Sequence, residues 1–95
     1  MRTVREDYAE KVKLQLDELN AKVDALEARM HDARADVRAS YRSELSKLRH
    51  QSELATAQLA QVRASGEASW DKLVLEMDKV RDAFMHSLNY FKSQF

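Results

Sequence analysis

The segment Arg63-Ala64-Ser65-Gly66-Glu67-Ala68-Ser69-Trp70 holds the single glycine of a chain that has no proline. Helix-forming residues surround it on both sides, so the reading of this segment decides between a chain that turns back and one that runs straight. If Gly66 takes the left-handed position that closes a helix, Ser69 is placed to cap a new one opening with Trp70-Asp71. If Gly66 stays inside a helix, it costs about 1 kcal/mol relative to Ala and the chain continues as a rod. The capping pattern favours a turn over residues 65–69, with Ser65, Gly66 and Ser69 as its turn residues. One domain over residues 1–95 follows, with a long arm at 4–64 and a shorter, aromatic-rich arm at 69–95.

On either side of the segment a line of apolar or small residues runs nearly the length of the chain. It reads Val4, Tyr8, Val12, Leu16, Leu19, Val23, Leu26, Met30, Ala33, Val37, Tyr41, Leu45, Leu48, Ser52, Ala55, Leu59, Val62, Gly66, Trp70, Leu73, Met77, Val80, Phe84, Leu88, Phe91 and Phe95. Every step is three or four residues, a mean near ~3.6, which is the period of one face of an α-helix. The residues between are mostly charged residues, Ala and Gln, all good helix formers.

A solitary helix would leave this seam in water, so its burial must supply the stability. In a hairpin of unequal arms the short arm covers only the later part of the long one, and the stripe from Val4 to about Ala33 calls for a second chain. The expected fold is therefore all-α, a long-helix coiled-coil hairpin that oligomerises. Its packing and oligomer contacts are expected at Leu16, Leu19, Val23, Leu26, Met30, Val37, Leu45, Leu48, Leu59, Val62, Trp70, Leu73, Met77, Val80, Phe84, Leu88 and Phe91. A continuous rod is one alternative. A three-helix bundle is another, with a second turn near residues 40–43, suggested by the recurrence of Val37-Arg38-Ala39-Ser40 as Val62-Arg63-Ala64-Ser65.

Composition narrows the function classes. Sixteen basic residues balance sixteen acidic ones, so no global field draws the chain to nucleic acid, and a nucleic-acid partner is not expected. The absence of cysteine excludes a disulfide scaffold, a thiol enzyme and a thiolate zinc site. The opening Met1-Arg2-Thr3-Val4-Arg5-Glu6-Asp7 has no apolar h-region, and the longest aliphatic run is Leu73-Val74-Leu75. A cytoplasmic protein with no membrane span is the expectation.

Three constellations bear on chemistry. His31, His50 and His86 each have a carboxylate at helical spacing, Glu27, Glu53 and Asp82, but no metal-binding helix motif accompanies them, and no metal or cofactor is expected. Arg34, Arg38 and Arg42 repel at four-residue spacing and call for acidic partners, for which Asp71, Glu76, Asp78 and Asp82 are the natural supply. The C-terminal arm gathers Trp70, Phe84 and Phe91 on one broad apolar face. Packing against helices is its expected role, and contact with a membrane or granule surface is the alternative. A nucleophile elbow, phosphate loop or nucleotide fingerprint would need glycines this chain does not have, so no catalytic residue is assigned and no enzyme is expected.

The stretch Ala64-Ser65-Gly66-Glu67-Ala68-Ser69-Trp70-Asp71-Lys72-Leu73 resembles a family of short bacterial coiled-coil proteins, labelled stress-response proteins after a cyanobacterial member. The likeness extends to Tyr8-Ala9-Glu10-Lys11-Val12-Lys13-Leu14-Gln15-Leu16-Asp17-Glu18-Leu19 and to Tyr41-Arg42-Ser43-Glu44-Leu45-Ser46-Lys47-Leu48-Arg49. Where family members often carry a second Trp eleven residues after the first, this chain has Arg81. The resemblance implies a soluble helical protein associated with stress conditions; joined to the uncovered stripe, the expectation is a homo-oligomer acting as a scaffold or adaptor. Apolipoprotein-like and phasin-like helices look similar too, and they imply the alternative of lipid- or granule-surface binding.

Overall fold

Thr3 opens the first helix: its side-chain oxygen accepts a hydrogen bond from the Glu6 N–H at 3.1 Å, satisfying a donor that the first turn leaves orphaned. The structure, a computed structural model, describes residues 3–94. Phe95, counted in the apolar line, lies outside the described residues. Three helices follow in order: α1 (Val4–Met30), α2 (Ala35–Ala64) and α3 (Trp70–Gln94), the last preceded by a single 3-10 turn at Glu67–Ser69.

The long arm expected over residues 4–64 is thus two helices, broken at residues 31–34. The alternative turn near residues 40–43 falls inside α2. His31 keeps helical dihedrals, φ −67° and ψ −23°. Asp32 and Ala33 donate their N–H groups to the Arg29 and Met30 carbonyls at 3.0 and 3.1 Å, tightening the last turn. Arg34, with φ −62° and ψ 149°, is extended and leads the chain into α2. It has no side-chain cap; the Arg38 guanidinium donates to the Ala33 carbonyl at 3.0 Å instead. Nothing here breaks a helix intrinsically. The turn forms because folding α1 back buries its stripe within the same chain, and that burial outweighs the hydrogen bonds a straight helix would keep.

The turn at residues 65–69 is built differently from the capping expectation. Gly66 is extended at φ −82° and ψ 171°, not left-handed, and Ser65 is extended at φ −69° and ψ 147°. Ser65 closes α2 by donating its hydroxyl to the Val62 carbonyl at 2.7 Å. Ser69 sits in the 3-10 turn, its N–H donating to the Gly66 carbonyl at 3.2 Å.

Each helix turns its stripe toward the other two. Ala9, Val12, Leu16, Leu19, Val23 and Leu26 of α1, Tyr41, Leu45, Leu48, Ala55, Leu59 and Val62 of α2, and Met77, Phe84, Leu88 and Phe91 of α3 form one buried cluster. No polar or charged residue is buried among the described residues. Tyr8, Met30, Trp70, Leu73 and Val80 pack against its margin. Val37 is half-buried near the start of α2. The stripe expected to require a second chain is therefore covered by the chain's own α2 and α3, although Val4 remains exposed.

The result is an elongated bundle of 51 × 23 × 18 Å. Its radius of gyration, 15.6 Å, exceeds the roughly 12 Å of a globular chain this long. The middle helix, α2, packs extensively on both neighbours, whereas α1 touches α3 lightly.

Candidate functional site

Ser52, Thr56, Ala60 and Ala64 follow one another at four-residue steps along the side of α2 that meets α1. The Ser52 hydroxyl donates to Asn20 Oδ1 at 2.5 Å and closes the two helices there. Beyond it, the small side chains leave a groove between α1 and α2. Leu16, Leu59 and Ala60 lie in its floor, and Lys13, Asp17 and Arg63 are on its rim. The groove continues toward the start of α1 past Ala9, where Arg5, Glu6 and Glu10 join Lys13 and Arg63.

Its charge is mixed. Lys13 and Asp17 pair across one helical turn at 3.0 Å, both more than half exposed, so the pair adds little stability. Interleaved signs around a partly apolar floor select a partner by pattern instead of net charge. Sequence reasoning missed this groove. The repeat of small residues is visible in the sequence, but the apolar line takes Ser52 into the seam and leaves Thr56, Ala60 and Ala64 among the fillers.

The light contact between α1 and α3 is made largely by polar and aromatic groups. Tyr8 Oη donates to Asp78 Oδ1 at 2.7 Å, and its ring meets Trp70 edge-on at 5.6 Å and 77°. The Arg5 guanidinium lies 5.1 Å over the Trp70 ring. Arg81 donates to Gln15 Oε1 at 3.2 Å and pairs with Asp78 and Asp82 at 3.4 and 3.3 Å. Burial first, then the hydrogen bond to Asp78 and its charge, push the Tyr8 phenol well above its ordinary pKa, against a smaller lowering by Arg81. These contacts hold the first and third helices in register.

Two further contacts fix α2. Arg49 reaches Asp24 and Glu27 of α1 at 2.8 and 2.6 Å. The hydrogen bond to Asp24 is the largest influence holding its guanidinium protonated, partly offset by desolvation. Tyr41 meets Phe91 of α3 edge-on at 4.8 Å, and burial raises its phenol pKa while the Arg29 charge lowers it.

The structure separates other residues singled out by sequence. His31 ends α1, His50 lies on α2 and His86 on α3, all exposed. Among the described residues no group of three or more His, Cys, Asp or Glu is placed to hold a metal ion. The acidic residues of α3 are not what faces the arginine line. Arg34 pairs locally with Asp36 at 3.4 Å, while Asp78 and Asp82 serve Arg81, and Glu76 accepts from Gln58.

The aromatic face of α3 points inward, with Phe84 and Phe91 almost fully buried. Large exposed apolar residues occur singly, Leu14 on α1, Leu54 on α2, and Leu75, Met85 and Tyr90 on α3. Met85 opens into the α1–α3 groove and Tyr90 into the α2–α3 groove. No helix among the described residues is long and apolar enough to cross a membrane. The chain matches no protein-family model, no curated protein and no solved structure.

Proposed function

We propose that this protein is a non-enzymatic helical adaptor that receives a helix of a partner protein in the α1–α2 groove. The observation that carries the reading is the row of Thr56, Ala60 and Ala64, exposed small side chains that line a groove between charged rims over a floor in which Leu16 and Leu59 are already buried. A fourth helix laid there would pack its own apolar residues against the exposed Thr56, Ala60 and Ala64, while Lys13, Asp17 and Arg63 meet its flanking charges. Helix-in-groove docking suits a bundle whose core is already complete, because the partner adds to the fold without being needed for it.

The resemblance to bacterial stress-response proteins supplies the biological setting of this reading, an adaptor or scaffold engaged under stress. The lipid- or granule-coat alternative requires the bundle to open, since Met77, Phe84, Leu88 and Phe91 would have to leave the core to reach an apolar surface.

A photo-crosslinking side chain at Ala60, compared with one at exposed Ser46, tests the adaptor reading in stressed cells of the native host. One defined protein is expected at Ala60 and not at Ser46, and its capture is expected to vanish when Thr56→Trp fills the groove. Equal labelling at both positions, or none at Ala60, would end the reading.

A further inference from the structure

Residues 31–34 reverse the chain without glycine or proline, and Arg34 at its end is extended. His31 is helical, and Asp32 and Ala33 are hydrogen-bonded backward in the helical sense. Arg34 already has a helical φ of −62°; only its ψ of 149° departs from the roughly −42° of an α-helix. The apolar line crosses the turn in phase, from Met30 to Ala33, Val37 and Tyr41 by steps of three and four. A straightened turn would therefore leave one unbroken helix over residues 4–64 with one unbroken seam.

We propose that a second copy of this chain exchanges α1 with the first. Arg34 rotates into the helical region, residues 4–64 become a single helix about 90 Å long, and α1 of each copy packs on α2 and α3 of the other. The closed contacts are then remade between copies: Asn20 with Ser52, Asp24 and Glu27 with Arg49, and Tyr8 with Asp78. The α1–α2 pairs among these are antiparallel and centre on residues 36–38, so the two long helices cross there. Half-buried Ala33 and Val37 become seam residues at the crossing.

Release of α1 breaks its packing on α2 but only a light contact with α3, and exchange restores both between copies. Exchange also changes the groove. Leu16 and Lys13 come from one copy and Ala60 and Arg63 from the other, so each docking groove is shared between two chains.

The chain has no cysteine of its own, which allows a direct test. Asn20→Cys and Ser52→Cys variants are unfolded, mixed and refolded at micromolar and at millimolar concentration under oxidising conditions. At millimolar concentration a mixed disulfide between the variants is expected, with doubled mass, and at micromolar concentration a monomer. Ala35→Pro is expected to abolish the dimer and keep the monomer folded. Proline is accepted at the first position of a helix and by an extended preceding residue, but it breaks a continuous helix.

Deleting His31–Ala33 leaves Met30 and Val37 four residues apart, in phase but with no room to turn, and is expected to give a dimer alone. A dimer without the mixed disulfide, a millimolar wild type indistinguishable from Ala35→Pro, or a deletion variant that is monomeric or unfolded would overturn the exchange. Should the cysteine variants fail to fold, the masses of wild type, Ala35→Pro and the deletion variant decide.

Discussion

Tyr8 on the first helix donates its phenolic hydrogen to Asp78 on the third at 2.7 Å, tying together two helices that otherwise touch lightly. The residues are seventy apart in sequence, so within one chain the bond exists only when both turns have formed. Asp78 is also held by Arg81, whose side chain reaches Gln15 further along the first helix.

Tyr8→Phe removes this bond while keeping the ring against Trp70. A loss of about 1 kcal/mol is expected, the usual net value of one such bond, measured by urea unfolding at neutral pH. The pH dependence follows from the raised phenol. Its folded pKa lies above the unfolded value of about 10, so the stabilisation is whole below that pH and is lost as pH rises through the folded value. Melting temperatures above pH of about 10 should fall less steeply for Tyr8→Phe than for the wild type. Tyr41, shifted the same way by burial, keeps part of the slope in the variant. Equal slopes in the two proteins would count against the bond.

Phe84 is 0% exposed and lies at the centre of the shared core. Phe84→Ala is expected to cost about 3–5 kcal/mol, from lost burial and the cavity left behind. Against a typical total stability of about 5–15 kcal/mol, that is enough to unfold a large share of the molecules near growth temperature. Leu54, 49% exposed, provides the control: Leu54→Ala should stay within about 0.5 kcal/mol of the wild type. Calorimetric melting of both variants checks the contrast.

Gly66 has a negative φ, and a Cβ built there meets nothing within 4 Å. Gly66→Ala should therefore stabilise the protein by about 0.4–1 kcal/mol, because alanine narrows the unfolded ensemble without straining the turn. A destabilised Gly66→Ala protein would mean that the turn needs the left-handed backbone that the capping rules suggest.

Arg49 bridges Asp24 and Glu27, but its side chain is 38% exposed and both acids are more than half exposed. Arg49→Ala should cost less than about 1 kcal/mol, and the difference from wild type should shrink as salt is raised. Melting curves at low and high ionic strength measure it. A large, salt-independent loss would instead point to packing of the arginine stem.

The three-residue and four-residue steps from Val4 to Phe91 make the helical character legible in sequence, and most residues on those steps fill the core, although Val4 and Gly66 are exposed and Ala9, off the line, is buried. The break near Gly66 is legible too, although its backbone is extended where a left-handed glycine is the local expectation. The reversal at residues 31–34 is not legible, because His31-Asp32-Ala33-Arg34 carries no helix breaker and the apolar line passes through it without a phase error. The α1–α2 groove is half legible. The small residues Thr56, Ala60 and Ala64 are visible in sequence, but the side of α2 they face depends on where α1 is folded.

Sequence by itself determined that the chain is helical and which face must be hidden, since both follow from local propensity and a period of about 3.6 residues. Only the tertiary structure decided what hides that face. A seam can be buried equally well by a long partner or by its own chain folded back, and local energetics barely distinguish the two. The choice rests on burial gained when Val12, Leu16 and Val23 meet Leu48, Leu59 and Phe84, contacts between residues far apart along the chain.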